Sequence, residues 1–178
     1  RLTTTGNLAA TGPYGVTNAS GGIMTVASGS VFRVANGLSN EAGAGLTLTG
    51  ELVGTVTNDG TMRQTGLLTG SLTTSGSADL DGTITGHLVY RGGSLLTGSA
   101  FRVDGDFRLA EDYSIAAGRQ INAARTVVIA GSTLDLQGRL LGTMLNDGRV
   151  NVRGSTARVD GLVTNNRMIS LSDGSGRI

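Results

Sequence analysis

Residues 50–97 read GELVGTVTNDGTMRQT (50–65), GLLTGSLTTSGSADLD (66–81) and GTITGHLVYRGGSLLT (82–97), which are three consecutive blocks of 16 residues. Each block starts with Gly and carries a second Gly four positions later. The middle position between these two glycines is aliphatic in every block (Leu52, Leu68, Ile84), and so is the position two residues after the second Gly (Val56, Leu72, Leu88). A fixed period with apolar residues alternating inside it is typical of solenoids, whose repeats stack on one another. The stretch therefore predicts a β-solenoid with a basic period of 16 residues.

The same pattern continues, less regularly, through most of the chain. A short phrase that ends in Asn and leads into a polar or Gly-rich corner occurs at residues 16–26, 38–48, 56–62, 144–152 and 163–171. The frame of 16 residues also places blocks at 122–137 and 138–153 and, after three extra residues, at 157–172. Apolar and polar residues alternate between corners, which is the period of a β-strand. We therefore expect an all-β fold, a single-stranded right-handed parallel β-helix of about 9–10 coils.

The boundaries of the solenoid are less regular than its middle. Residues 1–15 are small and polar, and we interpret them as a cap or an irregular first coil. The solenoid is expected to span residues 16–173, with an irregular excursion at 98–121, where the chain has eight residues more than one block. Residues 174–178 are interpreted as a flexible tail. In the regular part, stacking predicts that Arg63 lies over Asp79 in the next coil.

Composition restricts both the core and the chemistry. The chain has 30 glycines, three Phe, three Tyr and no Trp among 178 residues, so a narrow aliphatic core is expected. Its 14 basic residues are all Arg and are balanced by 13 acidic residues, which does not indicate a nucleic-acid partner. The absence of Cys excludes disulfides, thiolate metal sites and Cys nucleophiles. No apolar run is long enough to cross a membrane. The first residue is Arg, which suggests a piece of a longer protein whose targeting segments lie elsewhere.

Few residues suggest catalysis. His87 is the only histidine, so a His-based metal cluster is excluded, and we expect its side chain to point outward. Neighbouring carboxylates can act as a general acid and base on glycosides, and the chain contains such pairs. We interpret these pairs mainly as solvated outward positions. A speculative ligand site, with aromatic rings for sugar stacking, combines Phe101, Arg102, Asp104, Asp106 and Tyr113. No catalytic residue, cofactor or metal site is predicted.

The phrases VTNDGTM (56–62) and LVTNNRM (162–168), with G-x-L-x-G between them, resemble passenger domains of bacterial autotransporters and related haemagglutinin-like adhesins. The resemblance covers residues 16–172. It implies a right-handed parallel β-helix displayed at the outer surface of a Gram-negative cell. The implied function is non-catalytic: adhesion, aggregation or biofilm formation. Implied partners are a receptor or glycan on a host or neighbouring cell, or a second copy of the chain. Attachment to the membrane would use a translocator domain that is not in this sequence.

Two alternatives remain open. The first is a self-polymerising β-helix that resembles the bactofilin cytoskeletal proteins, whose coils have a similar length; the recurrent Asn-Asp-Gly corners count against it. The second is a polysaccharide-binding or polysaccharide-cleaving β-helix, such as a lyase or a phage tailspike, that uses residues 101–113. In that case Arg102 or Arg108 would assist the carboxylates of Asp104 and Asp106.

Overall fold

A computed structural model describes residues 1–172 and 176–178. In this part of the chain there are strands and turns and no helix, so no helix is available to cross a membrane. The strands are, in chain order, β1 (Leu2–Thr4), β2 (Leu8–Ala10), β3 (Val16–Asn18), β4 (Ile23–Val26), β5 (Val31–Val34), β6 (Leu38–Asn40), β7 (Gly45–Leu48), β8 (Glu51–Val53), β9 (Val56–Asn58), β10 (Thr61–Gln64), β11 (Leu67–Thr69), β12 (Leu72–Thr74), β13 (Ser77–Leu80), β14 (Thr83–Ile84), β15 (Leu88–Tyr90), β16 (Ser94–Thr97), β17 (Arg102–Leu109), β18 (Tyr113–Ile115), β19 (Gln120–Val128), β20 (Thr133–Leu136), β21 (Arg139–Asn146), β22 (Arg149–Arg153), β23 (Arg158–Asp160), β24 (Val163–Asn165) and β25 (Met168–Ser172).

Equivalent strands of successive coils pair in parallel, and this pairing builds three faces. The first face consists of a six-stranded sheet, β1-β4-β7-β10-β13-β16, followed by a four-stranded sheet, β18-β20-β22-β25. The second and third faces form one 15-stranded sheet, because β17, β19 and β21 run through the corner that separates these faces. The second face begins with β2 and the third with β3. The expected β-solenoid is confirmed, with about nine turns.

The period of 16 holds in the middle coils and lengthens on both sides. Thr61 pairs with Ser77, 16 positions later, whereas Val16 pairs with Leu38, 22 positions later. The frame expected for residues 122–153 is wrong on the second face, where Ile121 pairs with Leu140, 19 positions later. A register shift between Asn122 and Arg125 interrupts that pairing, and the extra residues lengthen β19.

Stacked glycines allow the tight corner between the second and third faces. Gly54, Gly70 and Gly86 follow one another at this corner in successive coils, and the Gly86 amide donates a 2.8 Å hydrogen bond to the Gly70 carbonyl. Gly70 has a φ of 151°, and a Cβ at this position would clash with the carbonyl oxygen of Gly54. Side chains are excluded because the backbones of adjacent coils touch here. The regular Gly spacing in the sequence is therefore a packing requirement of the stack.

The core is a narrow column of aliphatic side chains, as expected. Leu52, Leu68 and Ile84 stack in register on the second face and are fully buried. All three Phe side chains, those of Phe32, Phe101 and Phe107, are also buried. Outside the core, Arg63 pairs in register with Asp79, and Arg63 Nε lies 3.9 Å from Asp79 Oδ2, which confirms that prediction.

Residues 98–121 do not leave the solenoid. β17 continues both the second and the third face by pairing with β14 and β15, so the expectation of an excursion is wrong for these two faces. The irregularity is on the first face, where the sheet that ends at β16 and the sheet that begins at β18 are separate. Side chains connect the two sheets: the Tyr113 hydroxyl donates to the Leu95 carbonyl at 3.4 Å, and Arg119 donates to the Thr97 carbonyl.

Both ends of the described chain are part of the stack. β1 and β2 pair with β4 and β5, so residues 1–15 are a first coil. Of the tail expected at 174–178, residues 174 and 175 lie outside the described residues. Arg177 forms a parallel bridge with Arg158, and its amide donates to the Ala157 carbonyl. The flexibility of the tail stays a prediction.

Candidate functional site

The aromatic residues of the expected ligand site are used by the core. Phe101 is 2 % exposed and presents no ring to a ligand. The Tyr113 ring is half-buried and packs edge-on against Tyr90 and Phe107, with centroid distances of 5.2 and 5.7 Å. Burial raises the pKa of the Tyr113 phenol to about 12. These rings close the gap between the two sheets of the first face, and none forms an exposed stacking platform.

The two carboxylates of the expected site lie in different environments. Asp104 is exposed and accepts a 2.5 Å hydrogen bond from Nε of Arg102. Gly105 occupies the corner after Asp104, and Asp106 beyond it is only 7 % exposed. The corner at Gly105 and the burial of Asp106 therefore place these two carboxylates in different surroundings.

Asp106 is the centre of a charged cluster at this corner. Arg125, one coil further along, donates from Nε to Asp106 Oδ1 at 3.0 Å and from Nη2 to Oδ2 at 2.8 Å. Arg108 donates to the same Oδ2 at 2.9 Å. Hydrogen bonding by Arg125 is the main cause that lowers the pKa of the Asp106 carboxyl, and Arg108 adds to it. Asp106 therefore remains ionised at neutral pH and is poorly suited to act as a general acid.

Ser71, His87 and Asp106 occupy successive coils, but their hydrogen bonds do not form a catalytic triad. The Asp106 amide donates to Nδ1 of His87 at 2.9 Å, so Nδ1 carries no proton and cannot donate to the Asp106 carboxylate. Ser71 Oγ accepts from the His87 backbone amide at 3.0 Å. The His87 side chain is half exposed, which confirms its expected outward position. The cluster holds neighbouring coils together through a buried charge.

A ladder of buried asparagines was missed by the sequence interpretation. Asn18 donates from Nδ2 to Oδ1 of Asn40, and Asn40 donates in the same way to Asn58, each at 2.7 Å. Asn58 then donates to the Thr74 hydroxyl at 3.0 Å. A second segment, from Asn146 to Asn165, lies near the other end of the stack. The signal was present in the recurrent phrases that end in Asn, which we interpreted only as corners.

The surface of the described residues has several open grooves. One, of about 740 Å³, lies along the corner between the third and first faces and includes Asp147, Arg149 and Arg167. A smaller groove of about 370 Å³ lies on the third face beside Tyr14. Among the described residues, no group of His, Asp and Glu is placed to hold a metal ion. Comparison with protein-family models, with curated proteins and with solved structures finds no match to this chain.

Proposed function

We propose that this chain is an extracellular, non-catalytic scaffold or adhesin segment of a bacterial surface protein, which acts in adhesion, aggregation or biofilm formation. The observation that carries the proposal is the stack of about nine parallel turns. Such a stack has long, flat outer faces, and its backbone groups are satisfied by pairing between coils. It can present side chains at fixed spacing without a ligand-dependent change of shape.

The ion pairs of the expected sugar site support a structural role over catalysis. Asp104 is paired with Arg102, and Asp106 is held by Arg108 and Arg125. A glycosidase needs one protonated and one ionised carboxyl group on either side of the substrate. Arg125, with Arg108, lowers the pKa of the Asp106 carboxyl, so Asp106 is not suited to be the acid.

The test of surface display is antibody labelling of intact native cells, with permeabilised cells as the control. We expect intact and permeabilised cells to label equally. Labelling that occurs only after permeabilisation would contradict the proposal. A display strain that carries the chain on its surface should also adhere or aggregate more than the same strain without it.

The second candidate is a self-polymerising solenoid, which would use the inward-facing apolar side chains at the two ends of the described stack. Leu2 and Leu8 face inward in the first coil and are 40 % and 42 % exposed. Leu171 in β25 faces inward in register with the buried Val152, and it is 65 % exposed. A coil from a second copy stacked at either end would cover these side chains and pair the open strand edges.

Electron microscopy of the purified chain tests this second candidate. Filaments should form without another component, and Leu171→Glu should abolish them because it places a charge in the stacking surface. Ser170→Glu is the matched control, since Ser170 lies in the same strand and pairs with Asn151 on the outward side. A purified chain that remains monomeric by light scattering at high concentration would rule out self-polymerisation.

A further inference from the structure

The third face carries an uncharged hydroxyl surface over its first four coils. Thr17, Ser39, Thr57 and Thr73 stand in register, one per coil, and point outward from β3, β6, β9 and β12. Neighbouring coils are about 4.8 Å apart, so these hydroxyls form an evenly spaced row along the axis. Hydroxyl groups both donate and accept hydrogen bonds, which suits a ligand that is itself rich in hydroxyls.

A groove at the start of this row adds an exposed aromatic ring. Tyr14 is 85 % exposed and lines the groove together with Thr17, Asn36, Ser39 and Thr57. An aromatic side chain of this size that contacts water over most of its surface is a poor contributor to the stability of the fold and a good contributor to a binding surface. Its flat apolar ring can stack on the C–H face of a pyranose.

Two of the residues that line the groove, Gly15 and Gly37, lie at the corner that leads into the third face. Gly37 has a φ of 82°, and a Cβ there would lie 2.8 Å from the Thr55 hydroxyl. At Gly15 a Cβ would lie 2.9 Å from the Asn36 carbonyl oxygen. A side chain at either position would press on the neighbouring coil, so both glycines are needed where adjacent coils meet beside the groove.

The absence of charged residues distinguishes this groove from four other grooves on the described surface. None of its ten lining residues is Arg, Asp, Glu or His. Four other grooves each contain at least one Arg: Arg149, Arg63, Arg158 and Arg119. Further along the third face the outward row continues from Thr73 to Val89 and then to the charged Arg108. An anionic ligand would find no cation in the Tyr14 groove.

We infer that the Tyr14 groove and the hydroxyl row on the third face bind a neutral, extended glycan whose axis lies along the solenoid. The spacing of one hydroxyl per coil is close to the length of one sugar unit in an extended chain. Tyr14 stacks on one sugar ring, and Thr17, Ser39 and Thr57 bond to the hydroxyls of that ring and its neighbours. This inference rests on the proposed adhesive function and names the class of its partner.

Calorimetric titration of the whole chain tests the inference. The probes are neutral hexasaccharides of β-1,4-glucan, β-1,3-glucan, mannan and chitin, with a polygalacturonate hexasaccharide and a heparin hexasaccharide as acidic comparators. At least one neutral hexasaccharide should bind, and the acidic ones should bind more weakly. Tyr14→Ala should weaken binding about tenfold because it removes the stacking ring. Tyr14→Phe should retain most of the affinity.

Hydroxyl removal provides a matched pair of variants. Thr57→Val removes an exposed hydroxyl from the third face without changing the shape of the side chain, and it should weaken binding several-fold. Thr47→Val makes the same change on the first face, where Thr47 pairs with Arg63, and should leave binding unchanged. Thermal melts of all variants should match the melt of the unchanged protein, because Tyr14 and Thr57 are exposed and Thr47 points outward.

Three results would overturn the inference: no binding of any neutral hexasaccharide, stronger binding of the acidic comparators, or equal affinity of the unchanged protein and Tyr14→Ala. These failures differ from a failure of the proposed function. A protein that labels on intact cells and promotes adhesion but binds no neutral glycan keeps its adhesive role and loses this partner. Labelling only in permeabilised cells rejects surface display, whatever the titration shows.

Discussion

Asn40 Nδ2 lies 2.7 Å from Oδ1 of Asn58, which is one coil away and 18 positions later in the chain. Asn40 also accepts from Asn18, and both Asn40 and Asn58 are fully buried. Because each amide both donates and accepts along the axis, the ladder satisfies polar groups that would otherwise be costly in the core. This interaction holds adjacent coils in register.

Asn40→Leu should destabilise the solenoid by about 2–3 kcal/mol, since it leaves Oδ1 of Asn58 buried without a donor. The measurement is the midpoint and free energy of urea unfolding. Asn166→Leu is the control, because Asn166 also donates across coils at 2.7 Å, to Asp147, but this contact is exposed to water. We expect the control to cost less than about 1 kcal/mol. Equal losses for the two variants would contradict the role of burial.

Asp106→Asn should destabilise the protein at neutral pH by about 1–3 kcal/mol, because it removes the charge that Arg108 and Arg125 surround. Arg125 lowers the pKa of the Asp106 carboxyl in the folded state. The contribution of the ionised Asp106 carboxylate to stability is therefore present above the unfolded pKa of about 4. It is lost as the pH falls through the lowered pKa of the folded state. The difference between Asp106→Asn and the unchanged protein should shrink when unfolding is measured at decreasing pH below 4.

Asp104→Asn provides the control for that pH series. Asp104 is paired with Arg102 at the surface, and exposed pairs contribute about 0–1 kcal/mol. Its unfolding curve should remain close to that of the unchanged protein between pH 7 and 4. A pH dependence of Asp106→Asn identical to that of the unchanged protein would show that the buried carboxylate contributes nothing.

Gly70→Ala should cost about 2–4 kcal/mol or prevent folding, since the new Cβ would clash with the Gly54 carbonyl and φ is positive there. Gly6→Ala is the control, because a Cβ at Gly6 meets nothing within 4 Å. Circular dichroism melts of the two variants provide the comparison. A melt of Gly70→Ala that matches the melt of Gly6→Ala would mean that the corner can relax without loss.

Tyr113 should ionise only near pH 12, because burial disfavours the phenolate. Its raised pKa means that the folded state holds the proton more tightly than the unfolded state. Stability should therefore fall as the pH rises from about 10, the unfolded value, towards 12. Absorbance titration of the phenolate is the measurement. Tyr113→Phe should remove the ionisation step that occurs near pH 12. Loss of a transition near pH 10 in that variant would contradict the assignment.

The order of the coils and the inward positions of the apolar residues follow from the sequence alone. Alternation within a strand places Leu52, Leu68 and Ile84 in the core, and the period of 16 places Arg63 over Asp79. These features depend on interactions within one coil and on a constant number of residues between coils. Where the period is regular, the neighbour of each residue can be found by counting.

Only the tertiary structure shows which residues meet where the number of residues per coil varies. Between residues 98 and 146 the coils differ in length, so the register shifts and only the folded chain shows that Arg125, 19 positions away, binds Asp106. Burial of Phe101 and exposure of Tyr14 likewise depend on how neighbouring coils cover each side chain. The Asn ladder needs side chains of adjacent coils to meet in the core. Contacts between coils lie outside the local pattern, and they determine which polar residues hold the stack and which remain available to a ligand.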